Sequence, residues 1–151
     1  MRVFISHSIQ DKDEYLLTLL SSELRSKGFS ITLSDFMYPI SSFTKININK
    51  SQLFIGIVTS DGFDLTRVLK ERIHAETAGL PCILLVEDSI KQINPNIDGI
   101  IFNRYNPHDA IHQINQTLTN LQKTKAESNT WAWVLGGLAL VALLNTLSDD
   151  D

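Results

Sequence analysis

Leu53-Phe54-Ile55-Gly56-Ile57-Val58 is an unbroken apolar run, closed on its far side by Thr59-Ser60-Asp61. Its length suits a strand, and the lack of any alternation with polar residues requires cover on both faces. Such a strand belongs in the middle of a parallel sheet with helices on either side. Similar short runs at 3–5, 29–33, 82–86 and 99–102 supply four more strands. Between them the apolar spacing changes to that of helices. Tyr15, Leu16, Leu19, Leu20 and Leu24 recur at helical intervals until Lys27-Gly28, after a capping-box-like Ser8-Ile9-Gln10-Asp11. A short helix is expected over 43–49, and a longer one over about 65–78 that ends at Gly79 before Pro81. A last helix from Pro107 to about Lys125 uses Ile111, Ile114, Leu118 and Leu121. The expected fold is α/β: a flavodoxin-like, five-stranded parallel sheet with helices on both faces.

The chain has 151 residues, 13 Lys+Arg against 17 Asp+Glu, and a net charge of −4. Its size suits one ordinary domain. The final Asp149-Asp150-Asp151 accounts for most of the acidic excess, so the remainder is nearly neutral. A broad basic surface for nucleic acid is therefore not expected. The single Cys82 excludes a disulfide framework and multi-thiolate zinc sites, and a reducing compartment follows.

Composition changes sharply after residue 130. Residues 131–147 carry no ionisable side chain and begin with Trp131 and Trp133, whose indoles suit a headgroup zone. At a rise of ~1.5 Å per residue this segment gives a helix of roughly 26 Å, the short end of what crosses a bilayer core. A buried C-terminal helix of a soluble domain is the competing reading, but Leu135, Leu138, Leu140, Val141, Leu143 and Leu144 leave no polar face. The expected organisation is therefore a domain over 1–126, a linker over 127–130, a transmembrane helix over 131–147 and an acidic tail over 148–151. Lys123 and Lys125 precede the span and only acids follow it. The positive-inside bias then places the domain on the cytoplasmic side of an inner membrane, with a single pass. Gly136-Gly137 is only weak support for a dimer face within the membrane.

In an open parallel sheet, ligands bind beyond the carboxyl ends of the strands. The loops at 6–10, 34–42 and 60–64 should share that rim. None has a glycine-rich phosphate fingerprint or a Lys-Ser/Thr pair, which disfavours dehydrogenases and P-loop enzymes. Glu71 follows the third strand amid Arg67, Lys70 and Arg72. A solvated charged face accounts for that cluster without chemistry. A carboxylate near a strand's carboxyl end could instead bind a ribose or stabilise positive charge at a sugar carbon as a glycosidic bond breaks. Metal chemistry is not expected. His74-Ala75-Glu76 followed by Pro81-Cys82 has too short a spacing and one cysteine too few for a zinc deaminase. Glu71 with His74 is half of a two-metal motif, and His7, His108 and His112 have no ligand spacing.

Phe4-Ile5-Ser6-His7-Ser8 with Asp11 resembles the first box of Toll/interleukin-1 receptor (TIR) domains. Ile46, Ile48 and Ser51 ahead of 53–60, and Glu71, Ala75, Gly79 and Pro81 beyond it, continue the likeness over most of 1–126. The resemblance implies a TIR-like fold and cleavage of the nicotinamide glycosidic bond of NAD, as an NAD glycohydrolase or ADP-ribosyl cyclase-type enzyme, with NAD as substrate and no cofactor. It implies Glu71 as the catalytic residue, with Ser6, His7, Phe36, Tyr38, Ser60 and Arg67 around the substrate. It further implies self-association, the loop 35–42 taking part in assembly and gating, and, joined to a membrane anchor, a role in bacterial antiviral defence. Arg67 stands where the family usually has tryptophan. That departure favours a second class, a non-enzymatic TIR scaffold that oligomerises and signals or disrupts the membrane through 131–147. A third reading is a hydrolase similar to nucleoside deoxyribosyltransferases, which also use a carboxylate on a similar sheet.

Overall fold

The computed structural model describes residues 1–8, 14–128, 133–135 and 138–140. Its elements are β1 (Arg2–His7), α1 (Glu14–Ser26), β2 (Ser30–Leu33), α2 (Ser42–Asn49), β3 (Leu53–Val58), α3 (Phe63–Thr77), β4 (Cys82–Glu87), α4 (Asp88–Ile93), β5 (Ile100–Phe102), α5 (Pro107–Ser128), β6 (Trp133–Leu135) and β7 (Leu138–Leu140). The first five strands form one parallel sheet in the order β2-β1-β3-β4-β5. This is the five-stranded α/β arrangement expected from the apolar runs. Strand order reverses across β1 and β3, which makes their carboxyl ends the switch point where a crevice opens.

Alternation along the strands divides the core between two faces. Val3, Ile5, Leu53, Ile55, Ile57, Ile83 and Leu85 meet Leu16, Leu20 and Leu24 of α1 and Ile111, Ile114, Leu118 and Leu121 of α5. On the other face Phe4, Phe54 and Cys82 meet Ile48 of α2 and Ala75 of α3, and Val58, Leu84 and Val86 meet Leu65, Val68 and Ile90. Each fully buried Leu, Ile, Val or Phe contributes about 1.5–3 kcal/mol relative to exposure, so this double layer is the main stabilising element.

Gly56 sets how closely α3 approaches. A Cβ there would lie 2.7 Å from Leu84 Cδ1 and 3.1 Å from Val68 Cγ1. The helix therefore sits low on the sheet beside β1, where Ser6 is the register partner of Gly56.

Several expectations need correction. β2 begins at Ser30 rather than Phe29, whose ring is buried in the core while its backbone lies outside the ladder. Leu33 is exposed because β2 is an edge strand. The helix expected from about residue 65 starts at Phe63. The short α4 follows β4 without a loop and has no counterpart in the sequence reading. No helix among the described residues is long and apolar enough to cross a membrane. Of the transmembrane span expected over 131–147, only 133–135 and 138–140 are described, as an antiparallel pair with Trp133 opposite Leu140. Gly-Gly between two apolar triplets is itself a hairpin signal, one that competes with the helical reading. The rest of that segment, the acidic tail, residues 129–130 of the linker and residues 9–11 of the capping box lie outside the described residues.

Candidate active site

α3 leaves the carboxyl rim and runs back over the sheet, so residues at spacing i, i+4 on its lower face project onto the strand ends. Arg67 and Glu71 have that spacing, and both are fully buried. Lys70, about 100° away around the helix, is exposed, and Arg72 pairs with Glu76. The solvated-face account of this charged cluster is therefore overturned for Arg67 and Glu71. Glu71 also stands near the middle of α3 rather than at its first turn, which carries it below the rim and out of water.

Two serines at the ends of neighbouring strands meet this pair. Ile5 and Leu33 are register partners, so the next residues, Ser6 and Ser34, flank each other at the rim. Ser34 Oγ donates to Glu71 Oε1 at 2.6 Å. It also accepts from Arg67 Nη1 at 3.3 Å and from the Phe36 N–H at 3.1 Å. Arg67 Nη1 is shared further with Ser6 Oγ at 3.4 Å and with Glu71 Oε1 and Oε2 at 3.4 and 3.5 Å. Arg67 Nη2 donates to the carbonyl of His7. Arg67 Nε is buried without a hydrogen-bond partner. The long, divided contacts of Nη1 contrast with the short Ser34 bond. The serine orients the carboxylate, while the guanidinium balances its charge in a poorly solvated layer.

Phe36 closes the top. Its ring lies 5.0 Å from Arg67 Cζ and makes an edge contact with the His7 ring at 4.9 Å. It does so with φ at +63°, a left-handed backbone that costs a bulky residue about 1–3 kcal/mol. Asp35 holds that conformation. It accepts from the Met37 N–H, from Thr44 Oγ1 and from Ser41 Oγ. Partial burial works to raise the Asp35 carboxyl. These bonds, with that from its own N–H, outweigh it and hold the group below its ordinary value. His7 Nδ1 donates to the Ser8 carbonyl at 2.8 Å, which directs the other ring nitrogen away from that bond.

Ser6, the His7 carbonyl and Phe36 meet Arg67, and Arg67 meets Glu71. Two other expected substrate-binding residues do not join them. Ser60 Oγ donates to Asp64 at 3.2 Å across the start of α3 and is not among the side chains that meet Glu71. Tyr38 lies on the outer side of the loop, with its ring against Phe63 at 5.3 Å. There it lines a groove of about 220 Å³ with Pro39, Ile40, Lys45 and Lys70. Ser34, which the sequence reading places in a loop without a role, is the strongest partner of the carboxylate. Its signal was available: a serine immediately after the second strand, level with Ser6. Among the described residues no cluster of three His, Cys, Asp or Glu could hold a metal ion.

The arrangement offers one oriented, desolvated carboxylate at the switch point of the sheet, beneath an aromatic cap. No family model and no curated protein matches the chain. Among solved structures, it is similar to the CMP N-glycosidase BcmB of Clostridium botulinum, with a TM-score of 0.55 and 20% identity over 77% of this chain and 99% of that one. That likeness shows a shared α/β fold.

Proposed function

We propose that the protein hydrolyses the N-glycosidic bond of a nucleotide, with Glu71 as the catalytic carboxylate. The observation that carries this reading is the Glu71 side chain, fully buried at the switch-point rim and oriented by Ser34. A carboxylate in such a layer stabilises positive charge developing at the anomeric carbon far better than one in water. The C1′–N bond breaks with its electron pair going to the departing base, and a water oxygen then bonds to C1′ with loss of a proton. In NAD the ring nitrogen is already cationic, so nicotinamide departs neutral without prior protonation. NAD is the substrate suggested by the TIR resemblance; CMP is the substrate of the structural neighbour. Phe36 must lift from Arg67 to admit either sugar.

The test is turnover of NAD and of CMP by purified full-length protein, set against Glu71→Gln. Release of nicotinamide or cytosine that disappears in the variant supports the reading. Equal turnover by the variant, or none by the parent at high protein concentration, rejects it.

One observation favours the non-enzymatic reading instead. Arg67 and Glu71 already pair with each other without a ligand, while Phe43, Ile46 and Ile73 stay exposed on α2 and α3. A self-associating module held at a membrane by its apolar C-terminal sequence uses those features without chemistry. Self-association or membrane leakage that survives Glu71→Gln, with NAD and CMP untouched, would select it.

A further inference from the structure

We infer that the groove between Tyr38 and Lys70 is an anion subsite that takes the phosphate of the substrate. The inference rests on the proposed glycosidase reading for its purpose but on different residues for its evidence.

Lys45 comes from the first turn of α2 and Lys70 from α3, two elements that meet only through tertiary packing. Both side chains are exposed, and among the described residues neither has a carboxylate within ion-pair distance. The two arginines of α3 are committed: Arg67 to Glu71 and Arg72 to Glu76. The nearest acid along the chain from Lys45 is Asp35, and its oxygens are already occupied by Ser41, Thr44 and Met37. Two ammonium groups therefore share one concave site without an anion to neutralise them. The groove, about 220 Å³, has room for a phosphate and part of a sugar but not for a whole nucleotide.

Its position relates it to the buried carboxylate. Lys70 precedes Glu71 in α3, and Tyr38 belongs to the same loop as Phe36. The loop and the helix that line the groove therefore also build the buried site. A nucleoside 5′-phosphate has this polarity, an anion at one end and an anomeric carbon a few bonds away. With its phosphate on the lysines, its sugar extends along the loop that carries Phe36. Lysine suits the anion as a compact charge with three donors on a flexible stem.

The experiment measures binding by calorimetry on full-length protein, wild type and Glu71→Gln, using CMP, cytidine and inorganic phosphate as probes. Inorganic phosphate is not turned over, so the wild-type arm stands even where Glu71→Gln, which leaves Arg67 uncompensated, unsettles the fold. The expected result is that CMP and phosphate bind and cytidine binds more weakly. Lys45→Ala and Lys70→Ala should each weaken CMP about tenfold while leaving cytidine unchanged, and Lys→Arg at either position should restore most of it. The affinity for CMP should fall as salt rises. Unchanged CMP binding in the double lysine variant overturns the inference, as does a parent that binds neither CMP nor phosphate. Lysine-dependent binding with no glycosidic cleavage in wild-type protein would retain the subsite and reject the glycosidase instead.

Discussion

Ser34 Oγ lies 2.6 Å from Glu71 Oε1, a bond that ties the end of β2 to the middle of α3. The hydroxyl donates to one carboxylate oxygen and fixes where the other points. Ser34→Ala removes that donor, and the acceptor of Arg67 Nη1 and the Phe36 N–H with it, but leaves the Arg67–Glu71 contacts, so the carboxylate persists but is less well aimed. On the proposed glycosidase reading, turnover should fall about tenfold to a hundredfold, with a smaller change in KM. Ser34→Thr keeps the hydroxyl and should retain more activity. Steady-state kinetics of both variants check this; equal loss in the two would point to packing rather than orientation.

Arg67 and Glu71 are a buried pair, and the two halves should not be removable singly. Arg67→Met leaves an uncompensated carboxylate in the core and is expected to destabilise the fold by about 3–5 kcal/mol. Adding Glu71→Gln to Arg67→Met should recover part of that loss, because no lone charge then remains. A double-mutant cycle by urea denaturation measures the coupling. Additive effects would show that the two side chains do not depend on each other.

Those residues also mark where the sequence was readable and where it was not. Leu53–Val58 is legible to the residue because a strand covered on both faces needs apolar side chains throughout. Glu71 is legible as a candidate because the helix after the third strand must start at the ligand-binding rim. Its burial is less so, since Arg67, Lys70, Glu71 and Arg72 together look like a solvated stripe. Only the i, i+4 spacing of Arg67 and Glu71, with Lys70 turned about 100° away, separates the buried pair from the exposed charge. Ser34 gains its partner through strand register, so the sequence announces it only by its place immediately after the second strand. The six residues of α4 follow β4 with no break to announce them. The run 131–147 has the composition of a membrane helix, yet its described residues, 133–135 and 138–140, are two short paired strands.

Gly56→Ala tests how tightly α3 is seated. The new methyl would meet Leu84 Cδ1 at 2.7 Å and Val68 Cγ1 at 3.1 Å. Leu84 can shift at its tip, but Val68 is β-branched and on the helix itself, so α3 must move outward. The expected loss is about 1–3 kcal/mol in chemical denaturation, with a further fall in any Glu71-dependent activity as the helix lifts from Ser6 and Ser34. Unchanged stability would mean that the helix and sheet are less closely packed than the structure has them.

Cys82 should be inert in the folded protein. Burial pushes its thiol well above the usual range; the Glu76 carboxylate adds in the same direction and Arg72 opposes both. Thiolate is therefore scarce at neutral pH, and the sulfur is covered by the core shared with α2 and α3. A thiol-reactive reagent should label the chain only in denaturant. Rapid stoichiometric labelling under native conditions would contradict this placement.

The Phe36 cap over Arg67 should loosen in acid through Asp35. The hydrogen bonds from Ser41, Thr44, Met37 and its own N–H keep this carboxyl below its ordinary value of 3.8 despite the opposing effect of partial burial. A group with a depressed folded value stabilises the fold fully above its unfolded value, and that contribution disappears as pH falls through the folded one. At neutral pH Asp35 therefore holds the 35–44 segment, and with it the left-handed Phe36 that covers Arg67. As pH drops below about 3.8, protonation weakens the acceptor and the cap should open before the sheet does. The amide of Met37, which donates to Asp35 Oδ1, is the reporter. Its NMR shift should titrate below the ordinary carboxylate range and lose that titration in Asp35→Asn. In the variant at neutral pH the same amide should exchange faster with solvent, and the Phe36 ring should lose its upfield contacts with His7. A Met37 shift that titrates at or above 3.8 would show that the bonds from Ser41 and Thr44 do not hold the charged form, and that the cap owes its position to Phe36 packing alone.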